Sequence, residues 1–200
     1  QIGYYRPFVK SFLYYDKNLV ESPGLWDKIY PNKSIKNIVL CVSGKGSSKG
    51  FSMLISNKRT DLQLLFNSQS FPLYYYEEKQ QKDKKDTQVN FLEDTEEEKY
   101  TRKDGISDWI LIQVRSRFSG AKNITKEHIF YYIYGILHSP QYRKTFKSDL
   151  SKSLPHIPIV DKVEDFMAFY KAGKALADLH LNYEDVEPYK GVNVVGEDLG

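Results

Sequence analysis

Four histidines, one cysteine, a scatter of carboxylates and one glycine-rich basic loop are the residues of this 200-residue chain whose types invite chemistry. His128, His138, His156 and His180 are separated by ten, eighteen and twenty-four residues. Such spacing fits neither His-x-x-x-His nor a Cys/His zinc pattern, so no metal site is expected. Cys41 is alone, which excludes an internal disulfide framework and a multi-cysteine metal centre. It sits in Ile38-Val39-Leu40-Cys41-Val42, which reads as a buried strand with an inert core thiol. A reducing cytoplasm is the expected location.

The carboxylates cluster in one charge-dense stretch and on expected helix surfaces. A metal-dependent nuclease needs an acid on one strand and a closely spaced acid and lysine on the next, and Glu98-Lys99 lacks a strand-like frame. The loop Ser43-Gly44-Lys45-Gly46-Ser47-Ser48-Lys49-Gly50 is flexible and basic, and its glycines would let backbone N–H groups approach an anion. It lacks the Gly-x-x-x-x-Gly-Lys-Ser/Thr spacing of a phosphate-binding P-loop, which excludes nucleotide hydrolysis there. No glycine-rich strand-to-helix turn marks an adenosylmethionine or dinucleotide pocket. No nucleophile, base and orienting acid can be assembled, so no catalytic residue is expected.

A binding chemistry is easier to place. Lysines position a protein on phosphates, whereas arginine, asparagine and glutamine read base edges. The candidate DNA-binding set is Lys45, Ser47, Ser48, Lys49, Asn57, Lys58, Arg59 and Gln69. Lys45, Lys49 and Lys58 are expected on phosphates, Asn57, Arg59 or Gln69 on bases, and Ser47 and Ser48 as loop donors. The loop also reads as a plain mobile connector. Sixteen tyrosines offer stacking surfaces, though tyrosine in alternating strands more often serves a core or a sheet face.

The elements that must hold these residues divide the chain. Residues 1–76 carry ten Lys/Arg against four Asp/Glu, residues 77–105 carry seven against ten, and residues 106–200 balance at twelve each. A basic first third suits a polyanion partner, and equally suits plain solubility. Residues 1–76 read as β-rich: strands over 11–15, 35–42, 51–56 and 71–76, a short helix over 25–30, and a segment, 62–66, of either type. The charged 77–105 stretch reads as a solvated linker or insertion. Residues 106–200 hold remaining strand and a helical subdomain. Thr125 caps one helix with Glu127 in its first turn, and Ser139-Pro140 ends it and starts the next. Two prolines keep 154–159 extended, and Asp161 to Glu164 resembles a capping box opening the last long helix. The expected fold class is α+β, with an N-terminal β-rich part and a small C-terminal helical part. No apolar run approaches a membrane span. The start at Gln1 reads as that of an excised fragment.

Ile124-Thr125-Lys126-Glu127-His128-Ile129-Phe130-Tyr131-Tyr132-Ile133-Tyr134-Gly135-Ile136-Leu137-His138-Ser139-Pro140-Gln141-Tyr142-Arg143, followed by Leu154-Pro155-His156-Ile157-Pro158, resembles the C-terminal specificity region of single-polypeptide Type ISP restriction-modification enzymes. Tyr5-Arg6-Pro7-Phe8 with Tyr14-Tyr15 resembles its start, Phe71-Pro72-Leu73-Tyr74 its middle strand, and Leu176-Ala177-Asp178-Leu179-His180-Leu181 its last helix. The resemblance runs over about residues 4–183. It implies a parent enzyme with nuclease, helicase-like ATPase and methyltransferase parts, using ATP, magnesium and S-adenosylmethionine. This chain would match only the target-recognition part, reading a short asymmetric duplex site and presenting an adenine to the upstream methyltransferase. The methyltransferase tetrapeptide Asn/Asp-Pro-Pro-Tyr/Phe is absent, so no enzymatic activity or cofactor is expected of the chain itself. The 77–105 stretch is longer and more charged than the family pattern. Tyr134, Gly135, Leu137 and Tyr142 look like packing residues, with Gly135 permitting close helix approach. Two other readings remain: a structural coupler docking on the methyltransferase and helicase parts with little DNA contact, and a nuclease with a concealed site.

Overall fold

The computed structural model describes residues 2–16, 19, 24–47, 50–79, 99–187 and 189–191. Strand β3 (Val39–Val42) lies between β4 (Met53–Ser56) and β6 (Gln69–Pro72), antiparallel to both. All four of its residues are buried, which is why the run shows no alternation. Its two faces serve different cores. Leu40 and Val42, with Met53 and Ile55 opposite them, pack in the cluster that contains the helical residues Phe130 and Leu137. Val39 and Cys41, with Leu54, pack against Tyr4, Ile29, Tyr30 and Leu64. Burial raises the pKa of the Cys41 thiol, and its Sγ lies 3.4 Å from Ser70 Oγ.

That second core is closed by β1 (Ile2–Arg6), β2 (Val9–Phe12), the short helix α1 (Trp26–Ile29) and the two-residue strand β5 (Arg59–Thr60). β1 is antiparallel to β2 and parallel to β5. The β1–β2 turn holds Phe8 at φ 60°, a costly conformation for a bulky residue. Its ring meets His180 and Tyr183 edge-on, at centroid distances of 5.5 and 5.0 Å. The hairpin is thereby tied to the end of the last long helix.

Three expectations are corrected by local geometry. Residues 62–66 are neither strand nor helix but a turn, ended by Phe66 and Asn67 at φ 67° and 48°. The 35–42 strand begins only at Val39, because the Asn37 side chain takes up the local hydrogen bonds. The charged 77–105 stretch is strand at both ends: β7 (Tyr74–Glu78) pairs antiparallel with β8 (Tyr100–Asp104), and its middle lies outside the described residues.

The remaining chain is helical. α2 (Asp108–Arg117) is capped by Ser107, whose side chain accepts from Ile110 N. α3 (Lys126–His138) is capped by Thr125, with His128 completing a capping box by accepting from Thr125 N. Seven of its residues are buried, as in a helix enclosed on nearly all sides. Ser139 caps α4 (Pro140–Thr145), with proline in its first turn, and α5 (Lys147–Leu150) follows. α6 (Val163–Leu181) starts at Lys162 without a side-chain cap. Asp161, the expected capping residue, pairs with Arg117 instead. No helix among the described residues is long and apolar enough to cross a membrane.

Candidate nucleic-acid interface

Because β3 and β4 are antiparallel neighbours, the loop joining them and the turn after β4 lie at opposite ends of the sheet. The candidate residues are split accordingly. Lys45 and Ser47 are on the 43–52 loop, and Gln69 joins them, since it pairs with Val42 at that end. Asn57, Lys58 and Arg59 follow β4 at the far end, on the order of 13 Å away at about 3.4 Å per strand residue. Ser48 and Lys49 lie outside the described residues.

The loop is closed at its base, where Ser43 Oγ accepts from Ser52 N at 3.0 Å. Gly46 and Gly50 have φ of 71° and 78°, in the left-handed region that glycine tolerates best. Gly46 N also donates to the Ser151 carbonyl at 3.3 Å, so the loop leans on the helical part. Lys45 is exposed, Ser47 is half-buried with a partnerless hydroxyl, and Gln69 is exposed.

The opposite end is a built cleft of about 870 Å³, lined by residues of 30–38 and 57–59 together with Ile2, Leu73, Tyr74, Leu181 and Asn182. Lys58 is exposed and Asn57 half-buried. Arg59 is only 7% exposed. Its Nη2 donates to the Tyr30 carbonyl at 2.8 Å, Asp27 lies 3.5 Å from it, and the guanidinium stacks 3.8 Å over Tyr15. Arg59 therefore supports the cleft wall from within, while its Nε and Nη1 have no partner.

Sequence reasoning missed Asn32, Lys33, Lys36 and Asn37, which line the same cleft. Asn37 is the pin: its Nδ2 donates to the carbonyls of Ile29 and Tyr74, and its Oδ1 accepts from the amides of Ile38 and Tyr74. The signal was present as Pro31-Asn32-Lys33-Ser34, a turn-forming and basic run, and the strand expected over 35–42 covered Lys36 and Asn37. Among the described residues no cluster of His, Cys, Asp or Glu could hold a metal ion.

A model of the family described as the Type ISP C-terminal specificity domain matches residues 1–198. Three solved structures are similar over nearly the whole chain. The ATP-dependent Type ISP restriction-modification enzyme LlaBIII bound to DNA shares 32% identity over 95% of this chain, with a TM-score of 0.76. The DrdV–DNA complex shares 28% over 94%, at 0.77. A nuclease-deletion mutant of the Type ISP enzyme LlaGI, in complex with a DNA substrate mimic, shares 30% over 95%, at 0.69. The chain spans 11%, 16% and 14% of those three chains. No curated protein matches it.

Proposed function

Because this chain belongs to the Type ISP C-terminal specificity domain family, we propose that it is the part of a larger restriction-modification enzyme that reads the target sequence in duplex DNA. The carrying observation is its likeness, over 95% of its length, to a Type ISP enzyme bound to DNA. In this reading the domain presents an adenine to an upstream methyltransferase, and ATP, magnesium and S-adenosylmethionine act in parts of the parent outside this chain. Contacts are expected from both ends of the central sheet: Lys45, Ser47, Ser48, Lys49 and Gln69 at the loop, and Asn57 and Lys58 at the cleft. Arg59, buried behind Asn57 and Lys58, holds the wall they stand on. The test is selection of duplexes from a randomised pool by the 200-residue chain. Enrichment of one short asymmetric sequence is expected, and a pool that stays random would overturn the reading.

One feature favours a coupling role alongside recognition. Every residue of β2 is exposed, Phe12 at 93%, and Tyr14 beyond it at 77%. An edge strand that exposes Val9 and Phe12 invites a covering partner, and the upstream methyltransferase or helicase part is the proposed one.

A further inference from the structure

We propose that the cleft between residues 31–38 and the β4–β5 turn receives one nucleotide of the bound DNA, its phosphate on Lys33, Lys36 and Lys58 and its base edge on Asn32 and Asn57. The assignment rests on the DNA-reading function and deepens it.

Charge is the first reason. Three exposed lysines, Lys33, Lys36 and Lys58, line the cleft beside the buried Arg59, which pairs with Asp27, and no aspartate or glutamate lines it. The three lysines are exposed, and none makes an ion pair with a described residue. A concave surface lined by one sign of charge focuses its field and raises the local concentration of the opposite charge. Lys45 is the one cation of the candidate set that the described residues place at the loop end.

Unpartnered amides are the second reason. Asn32 Oδ1 is committed to its own turn, accepting from Ser34 N, Ser34 Oγ and Ile35 N. Its Nδ2 is buried with no partner, and so is Asn57 Oδ1. Buried polar groups in native proteins are nearly always satisfied, by protein, ordered water or ligand, so two orphans beside one cleft mark where a bound group can complete them. One is a donor and the other an acceptor, the pair of functions a base edge presents. The cleft volume also falls in the range of sites that enclose a small ligand. Asn37, with all of its amide functions bonded, holds the 31–38 wall in place before any ligand arrives.

The experiment measures duplex affinity of the chain against salt concentration, using the sequence its parent methylates and a scrambled control, with thermal melting to verify folding. The triple change Lys33→Ala, Lys36→Ala, Lys58→Ala is expected to weaken binding at least about tenfold and to flatten the salt slope by roughly one per lysine on a phosphate. Asn57→Ala is expected to shrink the preference for target over control while leaving the salt slope alone. A triple variant with unchanged affinity and slope, beside a Lys45→Ala variant that loses both, would overturn the cleft and leave DNA reading intact. A wild-type chain that binds no duplex at low salt would overturn both. Binding of AMP or ATP that the lysine changes abolish, without duplex binding, would assign the cleft to a free nucleotide and overturn the DNA source.

Discussion

Gly135 of α3 and Gly173 of α6 meet where the two helices cross, so closely that a Cβ on Gly173 would stand 2.7 Å from Gly135 N and run into the Tyr131 carbonyl. A Cβ on Gly135 would likewise collide with the Phe169 carbonyl. The contact is backbone on backbone, and neither side can yield by turning a side chain.

Alanine at either position is therefore expected to destabilise the protein, against the intrinsic preference. In an open helix glycine-to-alanine gains about 1 kcal/mol. Here overpacking, at about 1–3 kcal/mol, outweighs that gain. Urea denaturation of Gly135→Ala and Gly173→Ala should show lower midpoints, and the double variant should lose less than the sum because one helix displacement relieves both clashes.

Two tyrosine hydroxyls stitch the extended 154–160 segment to the helices. Tyr132 Oη donates to the Pro158 carbonyl at 2.6 Å and accepts from Val160 N, and Tyr142 Oη donates to the His156 carbonyl at 2.7 Å. Tyr132→Phe and Tyr142→Phe should each cost about 1 kcal/mol in chemical denaturation. Faster proteolysis near His156 should accompany the loss.

Stability should fall as the solution is acidified. Burial lowers the pKa of His128, His138 and His180 below the ordinary histidine value. Arg143 pushes His138 the same way, and His180 Nδ1 lies 2.6 Å from the hydroxyl of Tyr134. The unfolded chain then binds more protons than the folded one between the lowered values and about 6.5, so stability rises with pH across that window and is complete above it. Midpoints measured from pH 7.5 down to 5 should decrease. His180→Gln, which removes one such group, should make the decrease shallower.

Arg59→Lys should cost about 1–2 kcal/mol, because lysine cannot both reach the Tyr30 carbonyl and stack on Tyr15. Thermal melting tests it. An unchanged melting temperature would mean that Arg59 does not hold the cleft wall.

The parts of the fold that were legible in the sequence are those where local chemistry and tertiary packing agree. Thr125 and Ser139-Pro140 marked the helix boundaries because capping is settled within a few residues. The run 38–42 announced a buried strand, found at Val39–Val42. Helix α2 was not legible, because Trp109 and Ile112 face solvent at 65% and 58% exposure and blur the inward stripe of Ile110, Leu111 and Val114 that packs on the core. Asp161 misled because its carboxylate has a tertiary partner, Arg117, that no local pattern reveals. The candidate residues were recognisable by type but not by place. Lys45 and Lys58 look like neighbours along the chain, and the antiparallel β3–β4 pairing sends them to opposite ends of the sheet. Lys33 stood in a turn-forming run and Lys36 in the expected strand, but nothing local places their segment beside Asn57, as the folded cleft does.

The most direct measurement exchanges this domain between two parent enzymes of different specificity and maps methylated adenines in cells carrying each hybrid. If the domain reads the target, the methylated sequence travels with it, and exchanging only residues 31–38 and 57–59 changes part of that sequence. Methylation that stays with the upstream portion, whichever domain is attached, would contradict that reading.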